Sequence, residues 1–127
     1  MRLVRFAADG EIHSGESIEG DSLLRGNGGR LYRPDDVVWL PPVAPRKVVG
    51  LALNYADHAA ELGMASPEEP ALFFKPLTSL IGHRAPVIAP DNIEYMHYEV
   101  ELAVVIGRGG RRIRAGEAMD HVRGYTI

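Results

Sequence analysis

The sequence predicts an α+β fold in which strands predominate, and three observations carry that expectation. Fourteen glycines and nine prolines are many for 127 residues, and both residue types interrupt helices. The apolar runs are short, rich in β-branched and aromatic residues, and bounded by turn-forming residues, the pattern of strands. Apart from at most a short helix over 21–25, only residues 55–62 and 115–122 read as helical.

The elements follow in order. Residues 2–6 alternate as a strand, Asp9-Gly10 is a hairpin turn signal, and residues 11–14 return beside the first strand. Residues 15–33, with Gly26-Asn27-Gly28-Gly29 among them, read as loops with at most a short helix over 21–25. Val37-Val38-Trp39-Leu40 is a short strand that runs into the stiff Pro41-Pro42-Val43-Ala44-Pro45 connection, where a boundary is expected between units 1–44 and 45–127. Residues 47–53 form a buried strand. Asn54 caps the helix over 55–62, which Gly63 ends. Residues 71–75 form another strand, stopped by Pro76, and residues 86–89 a short one. The run 98–107 is apolar on both faces from Ala103 to Ile106 and reads as a mostly buried strand, returning over 111–114 after Gly109-Gly110. A helix over 115–122 precedes a strand that starts at Gly124. That strand stands at the end of the chain in mid-pattern, so these residues are expected to be the N-terminal half of a larger protein.

Composition bounds the function. An apolar fraction of 46% and a charged fraction of 24% are those of a soluble globular protein. A net charge of −3 argues against nucleic acid as the main partner. The absence of cysteine excludes disulfides, zinc–thiolate sites and thiol nucleophiles. The first ten residues lack the apolar core of a signal peptide, and no stretch is long enough to span a membrane. A cytoplasmic protein is expected.

Glu99 and Glu101 are the most informative residues. On a strand they share one face, with Cα atoms roughly 7 Å apart. Like charges on a buried face are costly unless something positive lies between them, and a divalent cation would serve. The alternative is an edge strand with a wet outer face. His58 and Glu61 stand at helical spacing i, i+3, which suits a general base oriented by a carboxylate; it equally suits a plain surface pair. Lys75 closes an apolar strand and could receive an anionic substrate, or snorkel into water. His97 is a possible neighbour of the glutamates or an exposed turn residue. The glycine clusters lack the Lys-Ser/Thr ending of a phosphate loop. Arg108, Arg111, Arg112 and Arg114 read as a solvated tip.

Taken together, Asn54-Tyr55-Ala56-Asp57-His58, Glu61, Leu72-Phe73-Phe74-Lys75-Pro76, His97-Tyr98-Glu99-Val100-Glu101, Ala118-Met119-Asp120 and Gly124-Tyr125-Thr126 resemble the fumarylacetoacetate hydrolase family over residues 47–127. Residues 1–44 resemble the small N-terminal domain of some bacterial members. The resemblance implies a mixed β-sandwich roll with peripheral helices, preceded by a small β-rich domain, usually dimeric, with the C-terminal half of the roll absent here. It implies Mg²⁺ or Mn²⁺ on Glu99 and Glu101, a third carboxylate ligand downstream of Ile127, His58 and Glu61 as an acid–base pair on a lid, and substrate contacts from Asn54, Tyr55 and Lys75. The segment is most similar to 2-oxo-dioate isomerases and decarboxylases of homoprotocatechuate catabolism, which act through a metal-bound enolate. Leu53 stands where acylpyruvase-type relatives carry arginine, which favours the dioate reading over a fumarylacetoacetase or acylpyruvase hydrolase. A non-catalytic module and an inactive fragment are the other readings.

Overall fold

A computed structural model of the chain describes residues 1–127 except Leu62, Ser66 and the side chain of His58. It is a mixed structure of short strands with few helices. Two units are distinguished, Met1–Ala85 and Pro86–Ile127, and each is described by itself.

The first unit opens with an antiparallel hairpin, β1 (Arg2–Ala8) and β2 (Glu11–Ile18), joined at Asp9-Gly10. Both turn residues have positive φ, 53° and 78°, the backbone whose twist matches that of the flanking strands. The expectation of loops over 15–33 is corrected here. The second strand runs on to Ile18, and β3 (Leu23–Arg25) and β4 (Leu31–Tyr32) add to its edge. Strands of three and two residues carry no period of their own; the ladder that pairs them makes them strands. With β5 (Val38–Leu40) the sheet has the order β4-β3-β2-β1-β5.

The register gathers one face. Phe6 pairs with His13 and with Trp39, and Leu24 pairs with Tyr32. Phe6 and Leu24 are fully buried, and burial of each contributes about 1.5–3 kcal/mol. His13 is buried among them, with its ring centroid 5.1 Å from that of Phe6 and 4.9 Å from that of Tyr32. The Asn27 N–H donates to His13 Nδ1 at 3.3 Å, so the ring hydrogen sits on Nε2, 3.2 Å from Tyr32 Oη. Tyr32 Oη in turn donates to Asp9 at 3.2 Å, and Arg30 pairs with Asp9 at 2.9 Å. A buried imidazole is thus satisfied at both nitrogens, which removes the cost of an unpaired polar group. Gly15 is required by space: a Cβ there would lie 1.8 Å from the Arg25 carbonyl oxygen on the neighbouring strand.

The rest of this unit is a two-stranded antiparallel sheet, β6 (Val48–Ala52) and β7 (Ala71–Lys75), with helix α1 (Ala56–Glu61) between them. The first helical bond runs from the Ala59 N–H to the Tyr55 carbonyl at 3.0 Å, so Tyr55 takes the capping position expected of Asn54. Gly63 terminates the helix as expected. Its φ is 66°, its N–H reaches the Ala60 carbonyl at 3.0 Å, and the Met64 N–H reaches Ala59 at 2.9 Å. This double closure needs a left-handed residue, and glycine supplies it. Leu62, expected in the last turn, lies outside the described residues. β6, expected to be buried, alternates between half-buried and exposed, and β7 is exposed along its length.

In the second unit β8 (Ala103–Ile106) pairs antiparallel with β9 (Val122–Thr126), with a register break at Val105/Ile106. The strand read over 98–107 is therefore shorter, and Glu99 and Glu101 precede it. The return expected over 111–114 does not form. Instead the chain closes where the N–H groups of Gly107 and Arg108 reach the His121 carbonyl, at 2.8 and 3.3 Å. Residues 86–89 are not a strand, and the helix expected over 115–122 is a 3₁₀ segment, Ala115–His121.

Candidate functional site

Asn54, Tyr55 and Glu61 follow the end of β6, whereas Lys75 pairs with Val48 at the other end of that strand. Between β6 and Asn54 the backbone turns through Leu53, which has a φ of 54°. A branched residue in the left-handed region is strained, and such outliers concentrate where a site needs a particular backbone path. Directly beyond it, Asn54 lines a half-open hollow of about 200 Å³ walled by Leu51, Ala52, Leu53, Ala56, Pro67 and Pro70, with Glu68 at its edge. Asn54 and Glu68 supply polar groups among apolar neighbours, and the hollow is smaller than most small-molecule pockets. Pro67 and Pro70 mark a loop in the sequence, but nothing there points to them or to Glu68 as lining a hollow, because a loop leaves no periodic signal.

Tyr55 is exposed and caps the start of α1; Glu61, also exposed, ends it. His58 falls within the same helix, and its side chain lies outside the described residues. Lys75 ends β7 with Nζ 5.3 Å from the centroid of the Phe73 ring, two residues back on the same strand. Asn54, Tyr55, Glu61 and Lys75 thus belong to the first unit, while Glu99 and Glu101 belong to the second.

Both glutamates are exposed in this chain. The inference from desolvation, that a buried like-charge pair calls for a cation, therefore loses its premise here. What remains is donor chemistry: two carboxylates one residue apart offer hard oxygen ligands, suited to Mg²⁺ or Mn²⁺. Among the described residues no group of three or more histidine or carboxylate side chains is placed to hold a metal ion. His97 stacks edge-on against Tyr95, ring centroids 4.7 Å apart.

A family model described as fumarylacetoacetate (FAA) hydrolase, C-terminal, matches residues 47–127. The chain belongs to the fumarylacetoacetate hydrolase family. Over 77 residues it is 53% identical to the homoprotocatechuate catabolism bifunctional isomerase/decarboxylase of Escherichia coli, covering 61% of this chain and 18% of that protein. Among solved structures it is similar to 5-carboxymethyl-2-hydroxymuconate delta-isomerase from Mycobacterium smegmatis, with a TM-score of 0.80 and 37% identity over 98% of this chain and 52% of that one. It is also similar to 2-hydroxyhepta-2,4-diene-1,7-dioate isomerase from Mycobacterium marinum, with a TM-score of 0.76 and 31% identity over 98% and 52%. The chain spans about half or less of the length of the curated relatives it matches. Among the described residues no helix is long and apolar enough to cross a membrane.

Proposed function

We propose that this chain is part of a cytoplasmic, metal-dependent lyase or isomerase that decarboxylates or isomerises 2-oxo-dioates in aromatic-compound catabolism. The observation that carries the reading is the 53% identity to a bifunctional isomerase/decarboxylase; Asn54 and Ala56, which line the half-open hollow, stand at the start of the helix that carries His58 and Glu61. In this reading residues 1–44 are a small β-rich domain and residues 45–127 the first part of a mixed β-sandwich roll, and the whole protein is a homodimer.

The roles follow from chemistry. Glu99 and Glu101 would hold Mg²⁺ or Mn²⁺ together with a further carboxylate. When bound, the cation supplies Lewis acidity toward the 2-oxo-carboxylate group. Asn54 would donate its amide to a substrate oxygen at the mouth of the hollow, and Tyr55 would flank it. Lys75 would receive a substrate carboxylate. His58 would take or return a proton at the reacting carbon, and Glu61 would orient and charge-balance the imidazole.

The test is Glu101→Ala in a longer polypeptide that continues past Ile127. Loss of both metal binding and turnover of an oxo-dioate is expected. Unchanged turnover would overturn the proposal, and a parallel panel of 3-acylpyruvates and fumarylacetoacetate reads out the hydrolase chemistry.

A further inference from the structure

Strand β5 is an edge of the five-stranded sheet, paired with β1 alone within it. An open edge of backbone groups is usually protected. Here the segment Gly82-His83-Arg84 lies against it. Gly82 approaches so closely that a Cβ would sit 1.9 Å from the Trp39 carbonyl oxygen and 3.0 Å from the Leu40 nitrogen. The His83 ring meets Trp39 edge-on, centroids 5.0 Å apart and planes at 78°. Trp39 is itself fixed, since its indole N–H donates to the Pro34 carbonyl at 3.0 Å. Arg84 pairs with Asp35 at 2.6 Å, and its backbone is left-handed, φ 62°. A non-glycine residue holds that conformation only where its surroundings over-determine it.

We infer that Gly82–Arg84 is an intrachain latch that fastens the family-matched part of the chain to the edge strand of the N-terminal sheet. The family match begins at residue 47, so the latch joins residues inside it to Asp35 and Trp39 outside it. The N-terminal sheet is then a positioning element rather than a detachable appendage. It fixes the segment that follows Lys75, and the chain leaves the first unit at Ala85, directly after the latch. The contacts differ in weight. The Arg84–Asp35 pair is exposed on both sides, and such pairs contribute little. The glycine-only approach to the Trp39 peptide and the ring contact carry the latch.

Hydrogen exchange of the 127-residue chain tests this at Ala85, whose N–H is bonded to the Gly82 carbonyl at 3.1 Å, with trypsin cleavage after Arg84 as a second readout. Gly82→Val is expected to raise exchange over 83–85 about tenfold and to speed cleavage, with the β1 and β2 amides unchanged. Asp35→Ala is expected to change both about twofold or less. Should Gly82→Val fail to fold, His83→Ala removes only the ring contact, and a rise of about threefold at the same amides is expected. Exchange and cleavage equal to the parent's, or a rise spread evenly over β1 and β2, would overturn the latch.

Discussion

The Lys75 ammonium stands 5.3 Å from the centroid of the Phe73 ring, and that ring lies over Gly50 on the paired strand. A Cβ at Gly50 would meet the ring at 2.2 Å, so the glycine is what allows Phe73 to lie flat and carry the lysine above it. A cation over a ring at an exposed site is worth about 0.5–1 kcal/mol, enough to bias where the ammonium rests without locking it. Gly50→Val is therefore expected to expel the Phe73 ring and to cost about 1–3 kcal/mol. Urea denaturation checks this, and an unchanged midpoint would contradict the packing described.

The core of the first sheet makes a sharper demand. Phe6 is fully buried against His13, Tyr32 and Trp39 through its ring contacts and strand pairing. Phe6→Ala should cost about 3–5 kcal/mol, a large share of the stability of a small domain. Trp39 is the only tryptophan, so its fluorescence reports unfolding of this sheet directly.

Tyr32 gives the same sheet an alkaline limit. Burial first, then the hydrogen bond to Asp9, raises the phenol above its ordinary pKa, with Arg30 pulling the other way. A raised folded-state pKa means that the folded chain holds the proton more tightly than the unfolded one. The stability this represents is complete below the ordinary phenol value of about 10 and is lost as the pH climbs through the raised value. The melting temperature should fall in the parent as the pH rises from about 10 through the raised value, and fall less in Tyr32→Phe. Identical alkaline profiles would contradict the Asp9–Tyr32 contact.

Much of this architecture was legible from local chemistry. Asp9-Gly10 demanded a tight hairpin, and Gly63 a helix end, because each position needs a left-handed backbone. Strands β6 and β7 announced themselves as apolar runs cut off by Asn54 and Pro76. Strands β3 and β4 did not, because two or three residues hold no period and exist through pairing with β2. The run leading to Gly107 misled in the opposite sense: unbroken apolar sequence extended the expected strand back through Glu99, whereas the ladder with β9 begins at Ala103. For the candidate site, the sequence supplied the residue types and their order, and the structure adds the left-handed turn at Leu53 and the hollow beside Asn54. Neither has a sequence signal, since leucine is a poor marker of a left-handed backbone.

The two carboxylate roles separate by mutation in the longer polypeptide. Glu61→Gln should leave metal affinity intact and lower turnover by about 10²–10⁴, the usual loss when an acid–base partner is removed. Glu101→Ala should lose the metal as well. Equal loss of metal in both variants would contradict the division of labour between Glu61 and the Glu99–Glu101 pair.

The most direct test of the central claim is calorimetric titration of Mg²⁺ and Mn²⁺ into this chain and into the longer polypeptide. Weak binding by residues 1–127 and tight binding by the longer form are expected, with the tight site abolished in Glu99→Ala and Glu101→Ala. Absence of binding in both forms, or binding indifferent to either glutamate, would contradict that claim.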